Sequence, residues 1–146
     1  MTVQKSRRRL QNLLAVIAGV VAGSVVNMTI VSVGPVMVPL PEGVDLTDMQ
    51  TLPQSIQQLS PQHFIAPWLA HALGTLVGAF VAAKLATGYR IRFALAIGFW
   101  FLLGGVTMVW MVGGPIWFTL LDLLAAYLPM AFAGGLLAKA QTRTTI

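Results

Sequence analysis

The chain has no cysteine and little charge: of its 146 residues only 9% are Asp, Glu, Lys or Arg, and four are acidic. The absence of cysteine excludes disulfide bonds, thiolate metal sites and a cysteine nucleophile. The scarcity of charge argues against a soluble domain. A chain that is 57% hydrophobic, with a mean hydropathy of +0.81, has more apolar surface than a core of this size buries. The composition therefore predicts one membrane domain.

Motifs of the common enzyme classes are also missing. There is no HExxH, no G-x-S-x-G, no phosphate-binding loop and no pair of carboxylates placed for acid and base chemistry. Glu42, Asp45 and Asp48 lack the glycine and the spacing of an EF-hand, so solvated charge is expected. His63 and His71 would lie about 12 Å apart along a helix, too far to share a metal. Haem ligation by His71 and a methionine stays open as an alternative, but we expect no enzyme, metal or cofactor.

The positive charges indicate an orientation. All nine Lys and Arg residues fall into three clusters, at 5–9, 84–92 and 139–143, separated by long apolar runs. Because cytoplasmic loops of membrane proteins carry an excess of Lys and Arg, placing every cluster inside requires an even number of crossings. The sequence predicts four crossings, with both termini in the cytoplasm. Topology and anionic lipid headgroups account for the net charge of +5, so we expect no nucleic acid partner.

Apolar runs and turn residues predict the boundaries within this single domain. In chain order the predicted elements are a basic N-terminal segment (1–12), a first span (13–33), an outer loop (39–62), spans at 64–86, 93–112 and 116–138, and a cytoplasmic tail (139–146). Each span has close to the roughly 20 residues that a bilayer requires. A short helix starting at Pro53 is predicted within the outer loop. A cleaved signal sequence is the weaker interpretation of the first span, because no Ala-x-Ala site follows it. The predicted fold is all-α, an antiparallel bundle of four transmembrane helices.

Small residues recur at every fourth position in the first two spans. Gly19 and Gly23 form one GxxxG motif, and Gly74 and Gly78 form the other. Lipid provides no hydrophobic force between helices, so close backbone approach at small residues is a main source of cohesion. The two stripes are predicted to pack against each other within one chain. A homo-oligomer interface is the alternative.

Four polar side chains, one from each span, are predicted to form a layer. They are Asn27, His71, Thr107 and Asp122. Each lies six or seven residues from the outer end of its span, at a depth of about 10 Å. A carboxylate at this depth costs about 2.5 to 3.5 kcal/mol, so Asp122 requires a partner, and His71 is the predicted one. Pro129 also leaves the Ala125 carbonyl without its helical donor, one turn from Asp122. The layer is interpreted either as polar contacts that fix helix register or as a proton or ion relay.

Four segments of the sequence are distinctive: PLPEGVD at 39–45, HFIAPWLAH at 63–71, GTLVGAF at 74–80 and WFTLLD at 117–122. On these segments the chain resembles a group of small bacterial inner-membrane proteins with four helices. The resemblance covers nearly the whole chain and implies a bacterial inner membrane. It implies no activity, ligand or catalytic residue, because none is assigned to the group.

Taken together, these patterns predict an integral inner-membrane protein that acts as a structural or accessory subunit in the lipid bilayer. It would pack through its small-residue stripes, internally and against another membrane protein or a second copy. The alternative is a small proton-linked channel or transporter that uses Asp122 and His71.

Overall fold

The computed structural model describes residues 2–143, and the side chains of 3–141. This part of the chain is all-helical and contains no strand. In chain order the helices are α1 (Thr2–Met37), α2 (Leu52–Gln57), α3 (Ile65–Leu85), α4 (Arg90–Val112), α5 (Ile116–Leu121) and α6 (Leu128–Arg143). A 3₁₀ turn, Pro61–Phe64, leads into α3, and a π-helical segment, Asp122–Ala126, joins α5 to α6.

Four stretches are long and apolar enough to cross a membrane by length and composition. They are Val3–Met37, Pro61–Leu85, Arg90–Val112 and Ile116–Gln141. The second and third begin and end within a few residues of the predicted spans at 64–86 and 93–112. The short helix expected at Pro53 is present as α2, in which Leu52 and Ser55 are buried.

The first helix is longer than the predicted span 13–33. It begins at Thr2, because residues 2–12 contain no glycine or proline and consist largely of good helix formers. It continues through Pro35, whose missing N–H removes a hydrogen bond only near the end of the helix. The amide of Val38 still donates to the Gly34 carbonyl oxygen at 2.9 Å, which completes the last turn.

Helix α3 lies at the centre of the structure, where it contacts α1, α4 and α6, whereas α1 and α4 barely touch each other. The outer faces of α1 and α4 carry large exposed apolar side chains, including Val21 at 57% and Trp110 at 85% exposure. Most of the apolar surface of these two helices is therefore not used in packing within the chain.

The two glycine stripes contact each other directly. A Cβ atom on Gly23 would lie 2.6 Å from the carbonyl oxygen of Gly74, and one on Gly78 would lie 2.7 Å from that of Gly19. Side-chain atoms do not approach a backbone so closely, so any larger residue would push α1 and α3 apart. The predicted stripes thus pack within the chain, and their surface is occupied.

An aromatic cluster holds the start of α5 against the start of α3. Phe64 is buried, with its ring centroid 5.5 Å from that of Trp117 and 4.8 Å from that of Phe118. Such edge-on and tilted contacts add to the burial of the rings themselves. They fix the register of the two helices one to two turns before His71 and Asp122.

Candidate functional site

The predicted pair of His71 and Asp122 is formed, and a third residue joins it. His71 Nδ1 lies 2.9 and 3.0 Å from the two carboxylate oxygens of Asp122. The Tyr127 hydroxyl donates to Asp122 Oδ2 at 3.0 Å and lies 3.1 Å from His71 Nδ1. The rings of His71 and Tyr127 are stacked, with centroids 5.7 Å apart. We call these three residues the polar cluster.

Burial differs sharply across the polar cluster. Asp122 and Tyr127 are each only 3% exposed, whereas the side chain of His71 is 26% exposed. The Asp122 carboxyl group has two hydrogen-bond partners, the His71 imidazole and the Tyr127 phenol. Both oxygens of Asp122 are therefore satisfied inside the bundle, which removes most of the cost of burying a carboxylate.

The π-helical segment makes this arrangement geometrically possible. In a regular α-helix, residues five apart point about 140° away from each other, because each residue advances by about 100°. A π turn instead closes a hydrogen-bonded loop between residues five apart, so it brings Tyr127 over Asp122. The uniform apolar run of the predicted span 116–138 suggests one continuous α-helix. The structure instead has two α-helices joined by a π turn.

Pro129 provides the physical reason for the π turn. Its ring clashes with the carbonyl of Ala125 and it has no N–H to give that carbonyl. Widening the turn over Asp122–Ala126 moves the backbone away from this clash. Tyr127 takes up the change, with φ at −109° and ψ at −80°, and the regular bonding of α6 resumes where Ala131 N donates to Tyr127 O at 2.8 Å.

A cavity of about 200 Å³ lies beside the polar cluster, between α1, α3 and α4. His71 and Tyr127 line one part of it, Asn27 lines another, and Phe101 and Met108 supply apolar walls. His71 Nδ1 is bonded to Asp122, which leaves Nε2 as the ring nitrogen without a bond to the polar cluster. None of the hydrogen bonds in the described part of the chain uses Nε2.

Asn27 lies in the same region but bonds to none of the three residues of the polar cluster. Its backbone N and Cβ pack against Gly74. Its Oδ1 is buried without a hydrogen-bond partner. Asn27 is therefore a neighbour of the cluster across the cavity and not a member of it.

Thr107 does not join the layer, and this part of the sequence prediction is wrong. Its side chain is exposed, and its Oγ1 donates to the Leu103 carbonyl of its own helix at 2.8 Å. The depth along the helix is as predicted, but the direction is not. A hydroxyl that bonds back to its own helix needs no partner from another one.

Tyr127 is the residue that the sequence analysis missed. Its position five residues after Asp122 places it on another face of a regular helix, so α-helical spacing hides it. The available signal was Pro129, two residues after Tyr127, because a proline disturbs the helix turn that precedes it. In the structure Gly105 leaves room for Tyr127, since a Cβ atom there would collide with the Tyr127 hydroxyl.

The polar side chains of the outer loop bond within the loop and to its neighbouring turns. Asp45 accepts hydrogen bonds from the hydroxyl and the amide of Thr47, both at 2.7 Å, and these bonds hold the pKa of that carboxyl below its ordinary value. His63 Nδ1 contacts the Ser60 hydroxyl, and His63 Nε2 lies 3.1 Å from the carbonyl oxygen of Pro39. Among residues 2–143, no three His, Asp or Glu side chains come together as metal ligands.

Comparison with known proteins adds nothing to this geometry: no protein family, curated protein or solved structure matches the chain. Function is therefore inferred from the polar cluster, the cavity and the packing surfaces.

Proposed function

We propose that this chain is an integral membrane protein of the bacterial inner membrane, folded as an antiparallel four-helix bundle with both termini in the cytoplasm. Its function is that of a structural or accessory subunit. The polar cluster fixes the register of α3 against the fourth membrane span, which consists of α5, the π turn and α6. The single observation that supports this role most strongly is the complete pairing of the buried Asp122 carboxylate.

Placement in a membrane is supported by the distribution of apolar surface. The outward faces of α1 and α4 expose large side chains that a water-soluble protein would cover. Polar backbone groups of these stretches are bonded within helices, as a hydrocarbon environment requires.

Orientation is supported by the position of the charges. Asn12 accepts hydrogen bonds from Thr87, and Lys84 donates to Gln141 at 3.0 Å, so the basic segments gather at one end of the bundle. Three acidic residues, Glu42, Asp45 and Asp48, lie in the loop that follows the opposite end of α1. An excess of Lys and Arg marks the cytoplasmic side.

The accessory role is supported by helix surface that is not packed within the chain. Residues of the outer loop are not among those that line the cavity beside His71. Surfaces for a partner are instead provided by the exposed faces of α1 and α4, since the glycine stripes are already used between α1 and α3.

A proton-linked channel or transporter is the second candidate, and one observation favours it. His71 is bonded to an acid on one side and is a quarter exposed on the other, facing a cavity. An imidazole in this position has the geometry to pass a proton. This candidate requires flux through the protein that Asp122→Asn abolishes.

Cysteine labelling tests the topology. Gln57 and Ile116 are exposed at the proposed outer side and Thr87 at the inner side, and none of the three has a positive φ that a substitution would strain. In intact cells an impermeant thiol reagent should label Gln57→Cys and Ile116→Cys, and label Thr87→Cys only after permeabilisation. Labelling of Thr87→Cys from outside would overturn the topology.

Isolation from native membranes tests the accessory role. A tagged chain purified in mild detergent should carry a second membrane protein in constant stoichiometry. Replacing apolar side chains on the outer face of α1, such as Val21→Asn, should release that protein without unfolding the chain. A chain that purifies alone and monomeric under these conditions would contradict the proposal.

A further inference from the structure

A second cavity, of about 430 Å³, lies at the basic end of the bundle, where α4 begins and α6 ends. Its lining combines the turn before α4 and the first turn of α4 with one residue of α6: Gly88, Tyr89, Arg90, Ile91, Arg92 and Lys139. Three of these six residues carry a positive side chain and none carries a negative one. Because such a surface attracts anions and repels cations, the cavity is suited to a negatively charged group.

Close packing fixes the two helices that supply the positive charges. A Cβ atom on Gly135 of α6 would lie 2.8 Å from the Cβ atom of Ala94 and 3.0 Å from Cδ1 of Ile91. The missing side chain at Gly135 therefore brings α6 against the first turns of α4. Lys139 follows Gly135 by one helical turn and lines the same cavity as Arg92. The two cations thus come from different helices that are held together next to the cavity.

Arg92 and Lys139 are not neutralised by an acid in the described part of the chain. All four acidic side chains lie elsewhere, three in the outer loop and one in the polar cluster. Neither residue forms an ion pair within residues 3–141. The guanidinium of Arg92 is instead held over the ring of Tyr89, with its central carbon 4.6 Å from the ring centroid. Both cations are exposed and able to contact an anion.

The backbone beside the cavity has a shape that also favours an anion. Tyr89 has left-handed angles, with φ at 44° and ψ at 37°, and Arg90 begins the right-handed helix α4. A left-handed residue followed by a right-handed one turns successive amides toward one point. Within residues 2–143 the amides of Tyr89 and Ile91 donate to no carbonyl oxygen. The positive end of the helix dipole adds to the attraction of the two side chains.

Apolar side chains continue from the cavity along both helices. Leu136 and Phe132 lie three and seven residues before Lys139 on α6, and Phe99 lies seven residues after Arg92 on α4. These spacings place each of them on the same helix face as its cation, and all three are exposed. A molecule with an anionic head and hydrocarbon tails matches this surface, whereas a free anion would use only the cations.

The charges also distinguish between kinds of lipid headgroup. A choline or ethanolamine headgroup carries an ammonium beside its phosphate, and this ammonium would meet only positive side chains at the cavity. An aromatic ring can bind an ammonium, but the Tyr89 ring already pairs with Arg92. A phosphate esterified to an uncharged alcohol avoids this repulsion.

We propose that this cavity binds the phosphate group of an anionic phospholipid. Arg92 and Lys139 bond to the phosphate oxygens, Tyr89 holds the Arg92 guanidinium in position, and the acyl chains lie along the exposed faces that carry Leu136 and Phe99. The proposal rests on the placement of the chain in a membrane given above and does not depend on the accessory role.

Calorimetric titration of the purified chain in a nonionic detergent tests the proposal. Dioleoyl phosphatidylglycerol is the probe, and dioleoyl phosphatidylcholine is the matched control, because it has the same acyl chains and phosphate but a cationic headgroup. Sodium phosphate tests whether a free anion is sufficient. We expect one saturable site per chain for phosphatidylglycerol, and no saturable binding of phosphatidylcholine or inorganic phosphate over the same concentration range.

Two double variants separate the cavity from the general positive charge of this end. Arg92→Gln with Lys139→Gln removes two cations from the cavity and should weaken phosphatidylglycerol binding about thirtyfold. Lys5→Gln with Arg7→Gln removes the same charge from α1, at exposed positions that do not line the cavity. This control should change the affinity by less than about threefold, because distant charges are screened. All four residues are exposed, so both variants should melt with the wild type.

The proposal is overturned if phosphatidylglycerol shows no saturable binding or binds no better than phosphatidylcholine. It is also overturned if both double variants weaken binding equally, or if inorganic phosphate occupies the site as tightly as the lipid. Lys139→Gln alone, with an expected loss of about fivefold, repeats the test if the double variant does not fold. The titration depends on neither orientation nor a partner protein, so its failure is distinguishable from failure of the cysteine labelling or of the purification experiment.

Discussion

The two halves of the bundle are held together in different ways. The basic half, at the end with the Lys and Arg clusters, has a core made almost entirely of alanine: Ala79, Ala82, Ala83, Ala94, Ile97, Ala131 and Ala138. The polar half contains the polar cluster, a π turn and a cavity of about 200 Å³. Small residues give close backbone contact with no polar group to satisfy. The polar cluster of this chain instead combines large side chains with a π turn, and it borders space that is not filled.

The two halves therefore differ in how they accommodate an added side-chain atom. Along the α1–α3 contact, a Cβ atom on any of the four stripe glycines would lie 2.6 to 2.9 Å from a carbonyl oxygen of the other helix. In the polar half, Gly104 and the cavity have room for an added group. Substitutions should therefore be most harmful where the chain has the smallest residues.

The largest effect is expected at the glycine contact. Gly78→Leu would place a side chain on the Gly19 carbonyl oxygen and should destabilise the protein by about 3 kcal/mol, at the upper end of overpacking costs. Gly104→Leu is the matched control, because the same change there meets no neighbour within 4 Å. It should stay within about 0.5 kcal/mol of the wild type. Thermal unfolding in one detergent measures both, and equal melting temperatures would contradict the account.

The next effect is expected in the polar cluster. Asp122→Ala removes the acceptor of two hydrogen bonds and leaves the Tyr127 hydroxyl buried without it, so destabilisation by about 1 to 3 kcal/mol is expected. Asp122→Asn keeps an acceptor and should cost less. Denaturant titration of the three proteins under identical conditions gives the order, and an Asp122→Ala protein as stable as the wild type would show that the cluster does not hold the helices.

A smaller and more diagnostic effect is expected at Tyr127. Tyr127→Phe should cost about 0.5 to 1.5 kcal/mol alone, the value of one hydrogen bond. Added to Asp122→Ala, it should cost less than it does alone, because the Asp122 acceptor is already gone and only His71 Nδ1, 3.1 Å away, is left as a partner. A double-mutant cycle in which the two losses simply add would place Tyr127 outside the cluster.

No measurable effect is expected at Thr107. The hydroxyl is exposed and bonds to the carbonyl of Leu103 in its own helix, so Thr107→Val should stay within about 0.5 kcal/mol of the wild type. A clear loss of stability in Thr107→Val would mean that the Thr107 hydroxyl bonds to another helix, as the sequence analysis predicted.

The effect expected in the outer loop is confined to one turn and concerns its pH dependence. The hydroxyl and amide of Thr47 lower the pKa of Asp45 from its ordinary value of 3.8, so the turn at Asp45 gains stability that is present above this value. That stability is lost as the pH falls through the lowered pKa. A carboxyl NMR titration should show the pKa of Asp45 rising when Thr47 is replaced by alanine. An unchanged pKa would mean that the hydroxyl does not bond to it.

The position of each polar side chain along its helix could be predicted from the sequence. The face of the helix on which it lies could not. The apolar runs place His71 and Asp122 at the same predicted depth in the membrane. Few other polar side chains lie at that depth, so the sequence indicates His71 as the hydrogen-bond partner of Asp122. Thr107 lies at a similar depth yet faces outwards. Each residue turns a helix by about 100°, so an error of one position in the assumed face moves a side chain away from its neighbours.

The π turn was the other feature that could not be predicted from the sequence. The partnership of Tyr127 and Asp122 depends on a π turn, which a periodicity of 3.6 residues cannot express. Pro129 indicated a weak point but not how the chain would resolve it. The glycine spacing, in contrast, could be read from the sequence as a surface for close helix contact, since Gly19, Gly23, Gly74 and Gly78 recur every four residues. That the partner helix belongs to the same chain is seen only in the structure.

The central claim is that the polar cluster stabilises the bundle and conducts no protons. Proton flux into liposomes that contain the purified wild-type chain, measured with a trapped pH-sensitive dye under an imposed pH gradient, tests it most directly. The account predicts the same flux as in liposomes without protein, for both the wild type and Asp122→Asn. A flux that rises with the amount of wild-type protein and disappears in Asp122→Asn, while the melting temperature of that variant stays unchanged, would contradict it.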